Sequence, residues 1–136
     1  METIKANIGF SDKNYSCGWG YPGIGVVMAT SKTFDGVKKE FVDALDFHIE
    51  GMLQDGEEMP QWLLNKDYEI VYELSAGALI RQAEEFTTMA AISRATGINQ
   101  KQLSHYANGT KEARPAQRAR IVEGLHKIGR ACMALY

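Results

Sequence analysis

The stretch GINQKQLSHYANG, residues 97–109, combines amide, hydroxyl and cationic side chains at helical spacing. These side chains fall on one side of a short predicted helix or at its N-terminal end: Asn99, Gln100, Lys101, Ser104, His105 and Asn108. Asn and Gln pair bidentately with adenine, Lys contacts guanine or phosphate, and Ser contacts either. Leu103, Tyr106 and Ala107 fall on the opposite side. The spacing predicts a helix that packs through one face and can read nucleic-acid bases with the other.

A second short helix must precede this one and hold it in place. The segment TMAAISRATG begins at Thr88, which can cap a helix running to Thr96. Gly97 stands where the chain must turn sharply, and glycine accepts a positive φ without penalty. Asn99 then caps the next helix, with Gln102 three residues later as in a variant capping box. Two helices joined in this way form a helix-turn-helix, and the alternative is an ordinary helical hairpin.

Charge is divided unevenly along the chain, whose overall net charge is −2. Residues 75–136 carry nine Lys and Arg against four Asp and Glu, a net charge of +5, which suits a polyanion such as double-stranded DNA. The cations that follow the polar helix could neutralise phosphates: Lys111, Arg114, Arg118 and Arg120. Residues 1–74 carry a net charge of −7, which suits a basic protein or only water. We therefore expect two domains, 1–74 and 75–136.

Hydrophobic periodicity predicts that the acidic half has a small α+β fold. Apolar residues alternate in residues 3–10 and 15–19, and residues 24–29 are rich in β-branched side chains. With the turn signals between them, these segments indicate three strands of a meander. A helix capped by Thr33 and ending near Gln54 follows, and residues 67–74 supply a fourth strand. The order β-β-β-α-β precedes an all-α half, which starts with a helical pattern over residues 75–86.

Acidic residues on the long helix raise the question of enzymatic chemistry. Asp43, Asp46 and Glu50 share part of its surface, and His48 falls in the apolar stripe, where a satisfied, half-buried histidine is expected. The chain shows no Ser/His/Asp grouping, phosphate loop or Cys/His metal spacing. We therefore predict no catalytic residue, no metal and no cofactor, and interpret the three acids as a solvated face or a partner-binding surface. A metal-dependent nuclease using Asp43 or Asp46 remains the enzymatic alternative.

The last predicted helix begins at Pro115, because proline is favoured in a first turn. Its apolar residues recur at steps of four and three: Ile121, Leu125, Ile128, Cys132 and Leu135. This stripe either finishes the domain core or pairs with a second chain, and a symmetric DNA site favours a homodimer or higher homo-oligomer. Neither cysteine has redox spacing, there is no secretory signal, and no apolar run approaches the ~18 residues of a membrane span. A reduced, cytoplasmic protein is expected.

Residues 88–109 resemble the helix-turn-helix of phage repressors and of the xenobiotic-response-element type. The matching positions are Thr88, Ile92, Gly97, Ile98, Leu103, Ser104 and Gly109. Those repressors often carry Gln after the cap, whereas this chain has Met89. The N-terminal half resembles the HicB antitoxin domain through the turn YPGIG, the third strand, the segment TFDGVKKEFVDALDFHIEGMLQDGEEMP and the strand–helix tail.

The HicB resemblance implies a partial, non-catalytic ribonuclease-H-like fold and a role in a type II toxin–antitoxin system. The N-terminal domain would bind and mask a small basic HicA-like toxin that cleaves mRNA. The resemblance carries no toxin-contact residues across, and the acidic helix region of Asp43, Asp46 and Glu50 is the candidate surface that this chain offers. The C-terminal domain would bind the operator of its own operon. The alternative is a stand-alone transcriptional regulator whose N-terminal domain binds a ligand or only oligomerises.

Overall fold

The computed structural model describes residues 1–136 and contains four strands and six helices in an α+β arrangement. Their bounds are β1 (Glu2–Ser11), β2 (Asn14–Tyr21), β3 (Gly25–Ser31), α1 (Phe34–Gln54), α2 (Gln61–Leu64), β4 (Tyr68–Leu74), α3 (Ala76–Ala83), α4 (Met89–Thr96), α5 (Gln100–Ala107) and α6 (Pro115–Met133). None of the helices combines the length and the apolar character that a bilayer span requires.

The chain divides into two compact units. The sheet unit comprises Met1–Ile8 and Asn14–Glu73, and the helical unit comprises Gly9–Lys13 and Leu74–Tyr136. The division at Glu73 and Leu74 lies one residue from the boundary expected from sequence, but the grouping of residues 9–13 with the helices was not expected. Asp12 and Lys13 cancel each other, so the units keep net charges of −7 and +5.

The four-stranded sheet has the order β3-β2-β1-β4. Strands β2 and β3 pair antiparallel from Tyr15 opposite Ser31 to Tyr21 opposite Gly25. β1 joins β2 through Asp12 and Lys13, which both have positive φ, as in a type I′ hairpin turn. Three contacts join β1 to β4: a backbone hydrogen bond from Glu2 to Asp67, a side-chain hydrogen bond from Thr3 to Glu69, and an ion pair between Lys5 and Glu73. The residue numbers increase together along both strands, so this pair is parallel and the sheet is mixed. All four predicted strands are present.

Helix α1 covers one face of the sheet. It starts as predicted, because the Thr33 hydroxyl accepts a hydrogen bond from the Gly36 amide at 3.0 Å. Its buried stripe recurs at three- and four-residue steps: Val37, Phe41, Leu45, Ile49 and Met52. These side chains share the core of the sheet unit with the inward residues of the strands: Ile4, Ala6, Ile8, Tyr15, Cys17, Trp19 and Val27.

The short helix α2 was not predicted. It follows Pro60, buries Leu63 completely and adds Trp62 to an aromatic cluster with Trp19, Tyr21 and Tyr68. Adjacent rings of that cluster lie 5.6–6.5 Å apart between centroids. The three ring contacts of Trp62 are edge to face, and this packing against residues of β2 and β4 explains why an apolar loop segment becomes ordered.

The helical unit packs α3 to α6 around one core. Its buried apolar side chains are Ile80, Ile92, Ile98, Leu103, Tyr106 and Ile121, with Leu125 and Ile128 packed against them. Helix α3 begins at the cap Ser75 and ends at Ala83, three residues before the predicted end. The chain must reach an extended conformation at Thr88 to cap α4, so Phe86 lies outside the helix with 86% of its surface exposed.

Close backbone packing explains two glycines of the helical unit. A Cβ on Gly77 of α3 would fall on the carbonyl oxygen of Tyr106 in α5, and a Cβ on Gly124 of α6 would fall on the Thr96 side chain. Gly129 has no heavy atom within 4 Å of such a Cβ. The apolar stripe of α6 therefore serves the core through Ile121 and its neighbours, whereas Cys132 and Leu135 remain exposed.

Candidate functional site

Helices α4 and α5 are the two short helices predicted within residues 88–109, and side-chain hydrogen bonds brace the turn between them. Gly97 has a φ of +75°, and Ile98 is buried inside the turn. The Ser93 hydroxyl donates to the Ile98 carbonyl at 2.6 Å. The Thr96 hydroxyl donates to the Ile92 carbonyl at 2.8 Å and accepts from the Ile98 amide at 3.2 Å. These bonds fix the angle between the two helices at a point where backbone groups would otherwise lack partners.

Both predicted N-caps are present. The Thr88 hydroxyl accepts from the Ala91 amide at 3.1 Å, and the Asn99 carboxamide oxygen accepts from the Gln102 amide at 2.8 Å. The expected return bond of a capping box is not made, because the Gln102 side chain donates instead to the Tyr106 hydroxyl at 2.7 Å. Each cap uses only one acceptor, so the Asn99 amide group and the Thr88 hydroxyl proton are left to meet a ligand.

The polar face of α5, defined by Gln100, Lys101, Ser104, His105 and Asn108, lies opposite the buried Leu103, Tyr106 and Ala107. Gln100, Lys101 and His105 are exposed, and their side chains make no hydrogen bond or ion pair within the protein. Lys111, just beyond the helix, is likewise exposed and unpaired. Free donors and acceptors are therefore concentrated at the N-terminal end of α5, where base contacts are usual for such a helix.

The C-terminal end of that polar face is engaged within the protein. The Asn108 amide donates to the Ser104 hydroxyl at 3.3 Å, and Arg81 donates to the Asn108 carboxamide oxygen at 2.5 Å. Ser104 is also only partly exposed. These two candidate DNA contacts consequently have fewer free groups to offer than Gln100 and Lys101.

Arg81 is a member of this region that sequence reasoning missed. Its Nε donates to the Ala107 carbonyl at 3.0 Å, its guanidinium pairs with Glu84 at 3.5 Å, and the same group lies 5.0 Å from the centre of the Phe10 ring. A cation at a helix C-terminus satisfies the last carbonyls and opposes the negative end of the helix dipole. Arg81 therefore fixes the end of α5, and nothing in its local sequence signals a partner 26 residues away.

Two of the four predicted phosphate-neutralising cations have structural partners instead. Arg118 donates to the Leu74 carbonyl at 2.9 Å, and Arg120 donates to the Thr96 carbonyl at 3.0 Å. Lys111 and Arg114 are exposed and unpaired, and they line a cleft of about 280 Å³ together with Gln102, Tyr106, Glu112 and Gln117. This cleft extends the cationic surface from α5 to the start of α6.

The three acids predicted to bind a partner differ in availability. Asp43 pairs with Lys39 at 3.0 Å, and this hydrogen bond and charge raise the pKa of Lys39. Asp46 lies 3.7 Å from the Lys66 ammonium nitrogen. Glu50 is exposed and unpaired. Phe47, which sequence reasoning did not single out, projects from the same side of α1 with 80% of its surface exposed.

The side chains of Cys17 and His48 are both engaged in the packing of the sheet unit. Burial raises the pKa of the Cys17 thiol to about 11, so the thiol is protonated at neutral pH. The His48 Nε2 lies 2.6 Å from the Ile24 carbonyl oxygen, to which it donates, so the histidine is satisfied as expected. No group of three or more His, Cys, Asp or Glu side chains is arranged to hold a metal ion.

Comparisons with family models, curated proteins and solved structures return no match to this chain. The interpretation of the two units therefore depends on their own geometry and charge.

Proposed function

We propose that this protein is a cytoplasmic antitoxin of a type II toxin–antitoxin system. Its sheet unit binds and neutralises a small basic, HicA-like toxin that cleaves mRNA. Its helical unit binds the operator DNA of the same operon and represses it. The observation that carries the proposal is the division of charge: a −7 unit with exposed acids on α1, and a +5 unit with a capped helix-turn-helix.

The DNA-binding half is supported by the state of α5. Gln100 and Lys101 stand unpaired in the first turn of a helix whose opposite face is anchored in the core. A side chain without an internal partner gives up only water when it contacts a base edge or phosphate. Lys111 and Arg114 extend the same surface with two unpaired cations.

The protein acts on DNA as a homodimer or higher homo-oligomer in this proposal. Recognition helices of this kind read paired half-sites, and a symmetric operator requires two copies. Two exposed apolar residues at the C-terminal end, Met133 in α6 and Leu135 just beyond it, are uncharged and suit contact between identical chains.

The experiment that tests the antitoxin role uses the full chain. It is co-expressed with the small basic toxin expected in the same operon, and growth and co-purification are measured. We expect the basic protein alone to arrest growth, and the full chain to restore growth and to co-purify with it. Absence of toxicity and of a complex would contradict the antitoxin role and favour a stand-alone transcriptional regulator.

Replacing Lys101 with alanine is expected to weaken binding to a duplex from the region upstream of the gene by about tenfold. The lost contact also lowers the slope of log affinity against log salt concentration by about one. Lys127→Ala is the matched control, because Lys127 is an exposed, unpaired cation of the same unit on α6. Fluorescence anisotropy at several salt concentrations measures both the affinity for the duplex and its salt dependence. Equal losses for the two variants would mean that net charge, and not the face of α5, controls binding.

A further inference from the structure

Phe47 occupies an unusual place on α1. The buried stripe of this helix passes through Phe41, Leu45 and Ile49, and Phe47 lies outside it with 80% of its surface in water. A large aromatic side chain at the middle of a 21-residue helix contributes nothing to the core from that position. An exposed aromatic ring can serve as the anchor of a protein–protein interface where polar groups surround it, so the residues around Phe47 decide its role.

The residues that share this face of α1 complete the surface. They lie three, four or seven positions from Phe47: Glu40, Asp43, Ala44, Glu50, Gly51 and Gln54. Ala44 and Gly51 are small, and no heavy atom lies within 4 Å of a Cβ built on Gly51. A side chain from another molecule therefore has room to lie flat against the Phe47 ring. We call this set the Phe47 face.

The rim of the Phe47 face is acidic. Glu40, Asp43 and Glu50 are exposed, and only Asp43 has an ion-pair partner, Lys39. Asp46 lies to one side and pairs with Lys66, so it belongs to the margin of this surface. An aromatic anchor surrounded by polar, charged groups has the anatomy of an interface hot spot and its rim.

We infer that the Phe47 face is where the basic partner protein docks, with an apolar side chain against Phe47 and cations against Glu40, Glu50 and Asp43. This inference depends on the proposed antitoxin function. The charge of the surface limits the occupant: a second copy that docked symmetrically through the same face would bring the same acids against it, and nucleic acid would be repelled by it. A basic protein can contact the Phe47 ring with an apolar side chain and pair its cations with the acidic rim.

Phe47→Ala tests the inference, and Phe86→Ala is its matched control. Both side chains are phenylalanines exposed by 80% or more, but Phe86 lies in the loop after α3 in the basic unit. Full-length variants are titrated by isothermal calorimetry with the small basic protein expected in the same operon. We expect Phe47→Ala to weaken binding about 30-fold or more and Phe86→Ala to change it less than about twofold.

A second variant, Glu50→Lys, distinguishes the contribution of the acidic rim from that of the Phe47 ring. We expect slower association, with an effect that shrinks as salt is added, because a rim charge acts mainly on encounter. Wild-type affinity in Phe47→Ala would overturn the docking inference and leave the antitoxin role standing. Failure of the wild-type chain to bind the basic protein would overturn both. A changed oligomeric state in Phe47→Ala, with toxin binding intact, would assign the face to self-association instead.

Discussion

Replacing Gly77 with alanine is expected to destabilise the helical unit by about 3 kcal/mol, although alanine is the better helix former by about 1 kcal/mol. Gly77 lies in the first turn of α3, and a Cβ there would fall on the Tyr106 carbonyl oxygen and lie 3.3 Å from its carbon. These are backbone atoms in the last turn of α5, so no side-chain rotation relieves the overlap. The two helices must separate, which opens the core around Ile80 and Leu103.

Urea unfolding followed by far-ultraviolet circular dichroism measures this loss. The matched control is Gly129→Ala on α6, where the new methyl group meets no heavy atom within 4 Å. That variant is expected to gain about 0.5–1 kcal/mol, because the same substitution then acts only through helix propensity. DNA binding should fall in Gly77→Ala, since α5 loses its support, and stay unchanged in Gly129→Ala. A wild-type unfolding midpoint for Gly77→Ala would show that α3 and α5 do not approach this closely.

Replacing Phe41 with alanine is expected to cost the sheet unit about 3 to 5 kcal/mol. Phe41 is fully buried and has the largest side chain in the core of α1, and its ring meets that of Tyr72 edge to face at 6.5 Å. Removing the ring leaves a cavity beneath the middle of the helix, which adds to the lost transfer free energy. Both tryptophans, Trp19 and Trp62, belong to this unit, so tryptophan fluorescence follows its unfolding selectively.

The control for Phe41→Ala is Phe47→Ala, the same substitution six residues along the same helix. Because Phe47 is largely exposed, its loss should change the unfolding free energy by less than about 0.5 kcal/mol. Similar destabilisation by both variants would contradict the orientation of α1. The comparison also shows whether Phe47→Ala folds normally, which its binding experiment requires.

Much of the fold could be predicted because local rules and tertiary packing agree. Alternation located the strands, and Thr33, Thr88 and Asn99 marked the starts of their helices because each side chain caps a backbone amide. The four-residue helix α2 was missed because it is too short to show a period, and its order depends on Leu63 and Trp62 packing against distant strands.

The candidate site could be predicted only in part. The polar face of α5 follows from the spacing of its residues. Its C-terminal end is engaged by Arg81, which donates to Ala107 and Asn108, and the distance between these residues in the sequence hides this contact. Phe86 was assigned to α3 because its spacing fits, yet the need to extend the backbone before Thr88 ends that helix earlier. Phe47 was passed over because an exposed aromatic carries no periodic signal.

The two cysteines give the protein a built-in pair of probes with opposite accessibility. Cys132 is exposed near the end of α6, so a maleimide dye should attach there in the native chain and report DNA binding from the helical unit. Cys17 is sealed under α1 as a protonated thiol, and it can be alkylated only when the sheet unit opens. The rate of this slow second alkylation therefore measures how often the sheet unit opens. A bound partner that holds α1 in place would lower that rate.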